Sequence, residues 1–430
     1  MPNRTIPGTS IRYALIAFDS DGNERTDDAE GVGGKMSARI LQDATASPPS
    51  HVFFFSHGWK GDVPAAIDQY NRWIKAMTDL TADADAMGAG FKPLWIGLHW
   101  PSLPWGDDEL GGNSFSPTAP QTSELMERYV ERLGGDADAV RAQLQIILAE
   151  NETNAGAMTL PPPVAEAYRK LAEEIGRKAG RPGGPPDAEE VAFDAGQAFE
   201  AGNEGGAAFG GFDFGGLLGP LRQLSFWKMK KRARKVGEVG MHGFIASLQQ
   251  ALPQARFHLM GHSFGCIVVS SILGGPDGAA ALPRAVDSLV LVQGALSLWG
   301  YADHIPNHEG SGYFNAMIKR GAVRGPIVVT TSEHDSAVGT FYPLAARLSG
   351  NVDFAPLPEY GAVGAFGIQG MDGVVSAKLL VQTGEYDFKP GTIHNLEGSQ
   401  FIAKMSGASG AHSDIDGPQV AHAIWQAARA

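Results

Sequence analysis

The fold of this chain is decided by RFHLMGHSFGCI, residues 256–267. Phe257 and Leu259 alternate with polar neighbours, which predicts a short strand. The chain from 264 to 273 is apolar, rich in small residues and long enough for a buried helix. Ser263 therefore lies where a strand is expected to turn sharply into a helix.

The spacing around Ser263 is that of a nucleophile elbow. Gly261 and Gly265 stand two residues to either side, in the order G-x-S-x-G. A Cβ atom at either glycine would collide with facing backbone, and the serine itself would be strained, with its Oγ exposed. The helix start supplies N–H groups where negative charge can form. Because a chain with 56 glycines can contain this spacing by chance around an ordinary serine, the prediction depends on the strand before and the helix after it.

Composition limits the classes of function. The length of 430 residues allows two or three domains, or one large α/β domain with an insertion, and the hydrophobic content of 43% allows a sizeable core. A formal net charge of −13 argues against nucleic acid as the main partner. The single cysteine, Cys266, excludes an intrachain disulfide and is interpreted as a small buried residue. No signal peptide or apolar segment of membrane-spanning length is seen, so we expect a cytoplasmic protein, with signal-less export left open.

Strand and helix patterns alternate along the chain. Besides the strand before Ser263, short apolar runs predict strands at 11–18, 52–55, 94–98, 288–292, 327–331 and 392–396. Helical patterns cover 35–43, 62–80, 124–150, 164–178, 222–253 and 417–430. This alternation predicts an α/β fold, with a mainly parallel sheet and helices on both faces. Active sites of such sheets lie beyond the carboxyl ends of the strands.

From residue 101 to about 219 the chain is rich in proline, glycine, alanine and acidic residues. We interpret 101–235 as a large, partly irregular, cap- or lid-like insertion before the nucleophile strand, within a single domain of residues 1–430.

A serine nucleophile needs a base and an acid that orients the base, and in elbow enzymes the acid and then the histidine follow the serine in the chain. Asp335 lies just past the strand in PIVVTTSEHDSAVG and is the predicted acid. Glu333 is its neighbour, and Asp303 is the runner-up. The alternative is that Asp335 only caps the next helix.

The predicted base is His412, which lies in SGASGAHSDID, a glycine- and serine-rich loop beyond the last strand. His394 falls within a predicted strand and His422 within the C-terminal helix. The alternative for His412 is an exposed loop histidine.

The oxyanion hole is predicted from two backbone N–H groups. One belongs to Phe264, directly after the nucleophile, and the other to Trp59, in the loop SHGWKGD. Gly58 would let this backbone approach, and His57 would then be structural. Simple packing is the alternative for Trp59.

These residues resemble the α/β-hydrolase superfamily. HGW at 57–59, GHSFG at 261–265, Asp335 and His412 carry the resemblance, which covers roughly 11–100 and 236–430. LMGHSFGCIVVSS is similar to bacterial lipases and esterases. The resemblance implies a Ser-His-Asp hydrolase with an acyl-enzyme intermediate and no cofactor. The insertion departs from the common cap position after the sixth strand, so no lid mechanism or substrate follows from the resemblance.

The predicted activity is hydrolysis of a small-molecule or lipid carboxylic ester, as in an esterase or lipase. Esters rank above amides because alcohols leave more easily. An amidase or peptidase with the same triad, and a non-catalytic binding protein on a hydrolase fold, remain open, as does the oligomeric state.

Three further patterns are weighed against ordinary packing and solvation. WKMKKRARK at 227–235 is interpreted as a solvated helix face. The alternative is that it contacts a membrane surface together with an apolar flap, formed by Phe209, Phe212, Phe214, Leu217 and Leu218. DHIPNHE at 303–309 reads as a solvated loop, because Pro306 prevents helical spacing of two zinc ligands. The aromatic residues that could line an acyl pocket, or simply pack in the core, are Trp100, Trp105, Phe209 and Phe226.

Overall fold

The structure is a computed structural model. It describes residues 3–58, 63–102, 126–127, 129–130, 133, 135–154, 156–174, 195–196, 199, 208–209, 212–213, 216–340, 357, 361–406 and 410–430.

The described strands form one large sheet and one small hairpin. In chain order they are β1 (Asn3–Thr5), β2 (Arg12–Ala17), β3 (His51–Ser56), β4 (Pro93–His99), β5 (Ala208–Phe209), β6 (Phe212–Asp213), β7 (Arg256–His262), β8 (Ser288–Val292), β9 (Ile327–Thr331), β10 (Val375–Lys378) and β11 (Ile393–Glu397). The large sheet has the order β1-β2-β4-β3-β7-β8-β9-β11-β10. β1 is antiparallel to β2, and the other pairs are parallel. The predicted α/β class with a mostly parallel sheet is confirmed.

The helices connect these strands. They are α1 (Met36–Ala46), α2 (Val63–Asp79), α3 (Thr81–Asp85), α4 (Ala137–Asn154), α5 (Pro162–Glu174), α6 (Gly219–Lys235), α7 (His242–Ala251), α8 (Gly265–Gly274), α9 (Asn315–Lys319), α10 (Ser336–Thr340), α11 (Val363–Phe366) and α12 (Pro418–Arg429). A π-helical turn, Val236–Met241, joins α6 to α7. None of the described helices is long and apolar enough to cross a membrane.

Both faces of the sheet are buried under helices. The central strand β3 is buried along its whole length, which explains its continuous apolar run. Val52 and Phe54 belong to one buried cluster with residues of α1, α7 and α8. Phe53 and Phe55 point the other way and pack with residues of α2 and α12. The first cluster also contains residues of α4, α5 and α6, so the described helices of the 101–235 segment share their core with one face of the sheet.

The predicted helix over 124–150 is wrong as a continuous element. Gly135 has a φ of +91°, which ends the helical residues before it. α4 then starts at Ala137, where the Asp136 carboxylate accepts N–H bonds from Asp138 and Ala139 at 3.1 and 2.9 Å. Part of the stretch expected to be irregular is also ordered, because β5 and β6 pair as an antiparallel hairpin.

The glycine interruption expected within 222–253 is present as the π-helical turn. A Cβ atom on Gly237 would lie 2.5 Å from the carbonyl oxygen of Val268 on α8, and one on Gly240 would overlap the Phe18 ring. The helix therefore approaches its neighbours closely at the two glycines, and its backbone bulges there.

Candidate active site

Ser263 has the backbone of a strained turn. It follows β7 and precedes α8, and its φ is +56°, in the left-handed region that serine rarely adopts. Its side chain is buried, with 1% of the residue exposed, so the expectation that the turn exposes Oγ is wrong, because the loop that carries Gly58 covers this atom. The neighbouring strand holds it in place, since its N–H donates to the carbonyl of Val292 at 3.2 Å and its carbonyl accepts from Ala295 at 3.1 Å. The surrounding structure thus imposes the strained conformation.

Three glycines make room for this turn. A Cβ atom on Gly261 would lie 2.4 Å from the carbonyl oxygen of Gly265, and one on Gly265 would lie 2.2 Å from the carbonyl oxygen of Ser56. A Cβ atom on Gly58 would lie 2.5 Å from Cβ and 3.1 Å from Oγ of Ser263. The third contact shows that the loop after β3 passes directly over the serine side chain. The predicted steric role of Gly261 and Gly265 is confirmed.

Among the residues that the structure describes, the buried Oγ atom of Ser263 has no hydrogen-bond partner. A buried hydroxyl without a partner costs roughly 1 to 3 kcal/mol of stability. Folded proteins satisfy most of their buried polar groups, and each group that is left over calls for an explanation, such as local strain, a catalytic role or a bound water. Other buried side chains, such as Ser271, share this lack of a partner, but Ser263 combines it with a left-handed φ, and the two features together make it a candidate nucleophile.

Asp335 and His412 form a buried pair. Nδ1 of His412 lies 2.8 Å from Oδ2 of Asp335, and the two side chains are 7% and 0% exposed. Asp335 follows β9 and lies one residue before α10, whereas His412 comes 15 residues after the end of β11 (412 − 397). The structure thus brings together two predicted site residues that are 77 positions apart in the chain.

Further donors hold the Asp335 carboxylate. Nε2 of Gln293 donates to Oδ2 at 2.9 Å, and the N–H of Val338 donates to Oδ1 at 3.3 Å. The second bond caps the N-terminus of α10. The Asp335 side chain therefore both caps this helix, which was the alternative interpretation, and pairs with His412.

The His412 loop is anchored beside the nucleophile. Nε2 of His262, the residue before Ser263, donates to the carbonyl of His412 at 3.0 Å, and the two imidazole rings lie 4.9 Å apart. On the other side, the N–H of Ala411 donates to the carbonyl of His334 at 2.7 Å. Burial holds the pKa of His262 well below its ordinary value, and the nearby His412 lowers it further. His262 is therefore a neutral donor at this position.

Of the two predicted oxyanion donors, Phe264 is buried at the N-terminal end of α8. Trp59 lies outside the described residues. The loop before Trp59 is fixed by His57, whose Nδ1 donates to the Gly58 carbonyl at 2.8 Å and whose Nε2 accepts the N–H of Trp100 at 3.3 Å. Burial, with a smaller contribution from His99, lowers the pKa of His57 to about 3. His57 is thus a neutral residue that shapes the loop, as predicted.

The competing acids and bases form other contacts. Asp303 accepts from Asn315 at 3.0 Å and pairs with Lys319 at 3.3 Å, and Glu333 is exposed. His394 accepts the N–H of Lys389, and His422 pairs with Asp83 at 2.8 Å.

The basic segment 227–235 is partly used inside the protein. Lys228 donates to the carbonyl of Leu133, Arg232 donates to that of Pro101 at 2.7 Å, and Lys235 pairs with Asp21 at 2.7 Å. Of the proposed apolar flap, Leu217 and Leu218 are buried, whereas the side chains of Phe209, Phe212 and Phe214 lie outside the described set. These contacts give no support to the membrane-surface interpretation, which stays a prediction.

The described residues bear on two further interpretations, the aromatic lining of an acyl pocket and the loop 303–309 that was weighed as a zinc site. Trp100 stacks on His57 with ring centroids 5.6 Å apart and is fully buried, which is core packing. Trp105 and the side chain of Phe226 are outside the described residues. Within the described ranges no three His, Cys, Asp or Glu side chains gather as metal ligands, and residues 303–309 form a largely exposed loop.

Sequence reasoning missed Gln293 and His262 as members of the site. Gln293 directly follows β8, so its place at the carboxyl edge of the sheet was the available signal. For His262, the signal was its position next to the nucleophile.

The described residues thus define an α/β protein with a strained, buried serine and a buried aspartate–histidine pair, and the residue before the serine bonds to the backbone of that histidine. Comparison of the chain with protein-family models, curated proteins and solved structures finds no match.

Proposed function

We propose that this protein is a serine hydrolase of the α/β-hydrolase type that cleaves carboxylic esters. The observation that carries the proposal is the state of Ser263, whose φ is +56° and whose buried Oγ has no hydrogen-bond partner within the described part of the chain. Nothing in ordinary packing favours a strained serine with an unsatisfied hydroxyl. A nucleophile that waits for a substrate and a base accounts for both features.

The Asp335–His412 pair supports the role of base. With its Nδ1–H donated to the Asp335 carboxylate, neutral His412 has its lone pair on Nε2. In the proposed reaction, Nε2 takes the Oγ proton of Ser263 as Oγ bonds to the ester carbonyl carbon, and the carbonyl oxygen becomes negative. The same nitrogen returns the proton to the alcohol oxygen as the bond from carbon to that oxygen breaks.

Water then completes the cycle. It gives a proton to Nε2 of His412 and adds to the acyl carbon, and the bond to Oγ of Ser263 breaks as Oγ recovers its proton. The carboxylate of Asp335 stabilises the imidazolium in both halves of the reaction. The Phe264 N–H and, from the sequence, the Trp59 N–H are the proposed donors to the oxyanion. No cofactor takes part in this scheme.

The location of the insertion is consistent with a role in substrate access. The β5 strand lies against α10, which starts one residue after Asp335. Part of the 101–235 segment therefore lies close to the proposed acid. A cap above the carboxyl edge of the sheet would exclude water and select substrates there.

The proposal is tested with p-nitrophenyl esters from acetate to palmitate and a matched anilide series, on wild type and Ser263→Ala. We expect ester hydrolysis that is lost in the variant, and labelling of Ser263 by a fluorophosphonate. A preference for long chains identifies a lipase, and one for short chains an esterase. Folded wild-type protein that neither hydrolyses the esters nor reacts with the probe would refute the proposal, as would full activity in Ser263→Ala.

A further inference from the structure

The segment at the end of β8 contacts both the proposed nucleophile and the proposed acid. At one end, the carbonyl of Val292 accepts the N–H of Ser263 at 3.2 Å, and at the other the N–H of Ala295 donates to the Ser263 carbonyl at 3.1 Å. Residues 292–295 therefore fix the backbone of the nucleophile from both sides. Gln293 lies between these two anchors.

The side chain of Gln293 reaches the acid. It is fully buried, and its Nε2 donates to Oδ2 of Asp335 at 2.9 Å. That oxygen is the one that faces Nδ1 of His412, at 2.8 Å. Through one residue, the backbone that holds the nucleophile is thus connected to the carboxylate oxygen that orients the base.

Thr330 on β9 fixes the orientation of the Gln293 amide. The Thr330 hydroxyl donates to Oε1 of Gln293 at 3.1 Å and accepts the Gln293 backbone N–H at 3.2 Å. With its oxygen bound to a donor, the amide turns its NH₂ group toward Asp335. The amide is therefore held at both ends, and so is the carboxylate oxygen it contacts.

The backbone of Gln293 is strained as well. Its φ is +46°, in the left-handed region. A Cβ atom on Gly364 would lie 2.7 Å from the carbonyl carbon of Gln293, and the N–H of Gly364 donates to the carbonyl of Gly294 at 2.9 Å. A long amide side chain in a strained, tightly enclosed position indicates a specific requirement rather than space filling.

We propose that Gln293 is a positioning residue that sets the Asp335 carboxylate, and through it His412, relative to Ser263. The inference rests on the proposed function, since it concerns the same site. Without the amide, the carboxylate would keep the Val338 bond but lose one of the two donors to the oxygen that faces His412. The imidazole would then spend less time aligned with Oγ, which lowers the rate of the chemical step and leaves substrate binding intact.

The test compares Gln293→Met with Gln249→Met. Gln249 is another buried glutamine, on α7, and its Oε1 accepts the Arg284 N–H at 3.2 Å. We expect Gln293→Met to lower kcat on a p-nitrophenyl ester about 10- to 100-fold, with KM within about twofold of wild type. Gln249→Met should keep wild-type kcat. Equal kcat in the two variants, or a loss confined to KM, would overturn the proposal.

Substitutions at Thr330 keep the test valid if Gln293→Met fails to fold. Thr330→Val removes the hydroxyl that orients the amide, while Thr330→Ser retains it. We expect a kcat loss in Thr330→Val of about 3- to 10-fold, and near wild-type kcat in Thr330→Ser, since loose positioning is costly to rate. The same kcat in both variants would contradict the inference.

A readout independent of turnover separates this inference from the proposed function. The Nδ1 proton of His412, shared with Asp335, should give a far-downfield proton NMR signal in wild type and in Gln249→Met. In Gln293→Met we expect it to move upfield or to broaden, because the carboxylate is free to rotate. An unchanged signal refutes the role of Gln293 even in an active enzyme. If the signal changes in Gln293→Met but the wild-type protein hydrolyses no ester, the result supports the positioning role of Gln293 and refutes the proposed activity.

Discussion

His262 donates from its Nε2 to the main-chain carbonyl of His412 at 3.0 Å, although 150 positions separate the two residues. The loop that carries the proposed base is thereby tied to the residue next to the proposed nucleophile. Burial and the nearby His412 keep the pKa of His262 well below its ordinary value, so His262 would add no positive charge beside the imidazolium that the proposed reaction forms at His412.

This bond leads to a prediction for His262. His262→Phe keeps a ring against His412 but leaves the buried His412 carbonyl without its donor, so we expect kcat to fall about tenfold and stability by about 1 to 3 kcal/mol. His262→Gln retains an N–H donor and should recover part of both losses. Steady-state kinetics and urea unfolding measure the effects. Equal kcat in the two variants would show that the hydrogen bond has no role in placing His412.

The two candidate acids can be separated by matched variants. Asp335→Asn removes the charge that faces Nδ1 of His412, so we expect kcat to fall about 10³- to 10⁴-fold, as for triads in general. Asp303→Asn changes a carboxylate that contacts Asn315 and Lys319 and should leave kcat within about twofold of wild type, since the described contacts of Asp303 do not include His412. A large loss in Asp303→Asn with little in Asp335→Asn would reverse the assignment.

Periodicity made the sheet predictable, because β3, β8 and β9 are buried strands whose apolar runs end in turn residues. The carboxyl-edge rule then led to Asp335, since a parallel sheet brings the ends of distant strands to one edge. These predictions depend on local pattern and on topology that the pattern implies.

Other elements gave too little local signal. β10, VSAK, is exposed along its whole length and has no apolar face to reveal it. The break at Gly135 depends on a single backbone conformation, which helical spacing on either side conceals. The proposed role of Gln293 rests on contacts with Thr330 and Asp335, which are 37 and 42 positions away, and the sequence offers only its place directly after β8. A residue chosen for its tertiary partners leaves no trace in the periodicity around it.

The backbone of Ser263 leads to a prediction about stability. A left-handed φ costs a residue with a Cβ atom roughly 1 to 2 kcal/mol, and glycine avoids most of this cost. We therefore expect Ser263→Gly to raise the free energy of unfolding by about 1 kcal/mol, more than Ser263→Ala does, while both abolish activity. Asn307→Gly is the control, because Asn307 has a φ of +62° in an exposed loop and asparagine tolerates that region.

Urea denaturation at a pH near 7 measures these changes. A Ser263→Gly protein that is less stable than Ser263→Ala would show that the turn stores no strain. In that case the unusual φ would reflect the local geometry of the elbow and not a conformation imposed at the expense of stability.

Buried neutral histidines predict acid sensitivity. Burial lowers the pKa of His51 to about 4 and that of His57 to about 3, and it holds the pKa of His258 well below its ordinary value. In the unfolded chain these rings take up protons near pH 6.5, so between that pH and about 4 the unfolded state binds more protons than the folded state. Stability should therefore fall as the pH drops through this window.

His51→Phe tests this prediction at one ring. His51 stacks on Phe53 and His258 with centroids 6.3 and 5.4 Å away, so phenylalanine keeps the ring contacts and removes one titrating group. Between pH 8 and pH 4.5, we expect the free energy of unfolding to fall less in His51→Phe than in wild type, because only the wild-type ring gains a proton on unfolding. Urea denaturation of both proteins across that range measures the two slopes, and parallel slopes would show that folding leaves the pKa of His51 unchanged.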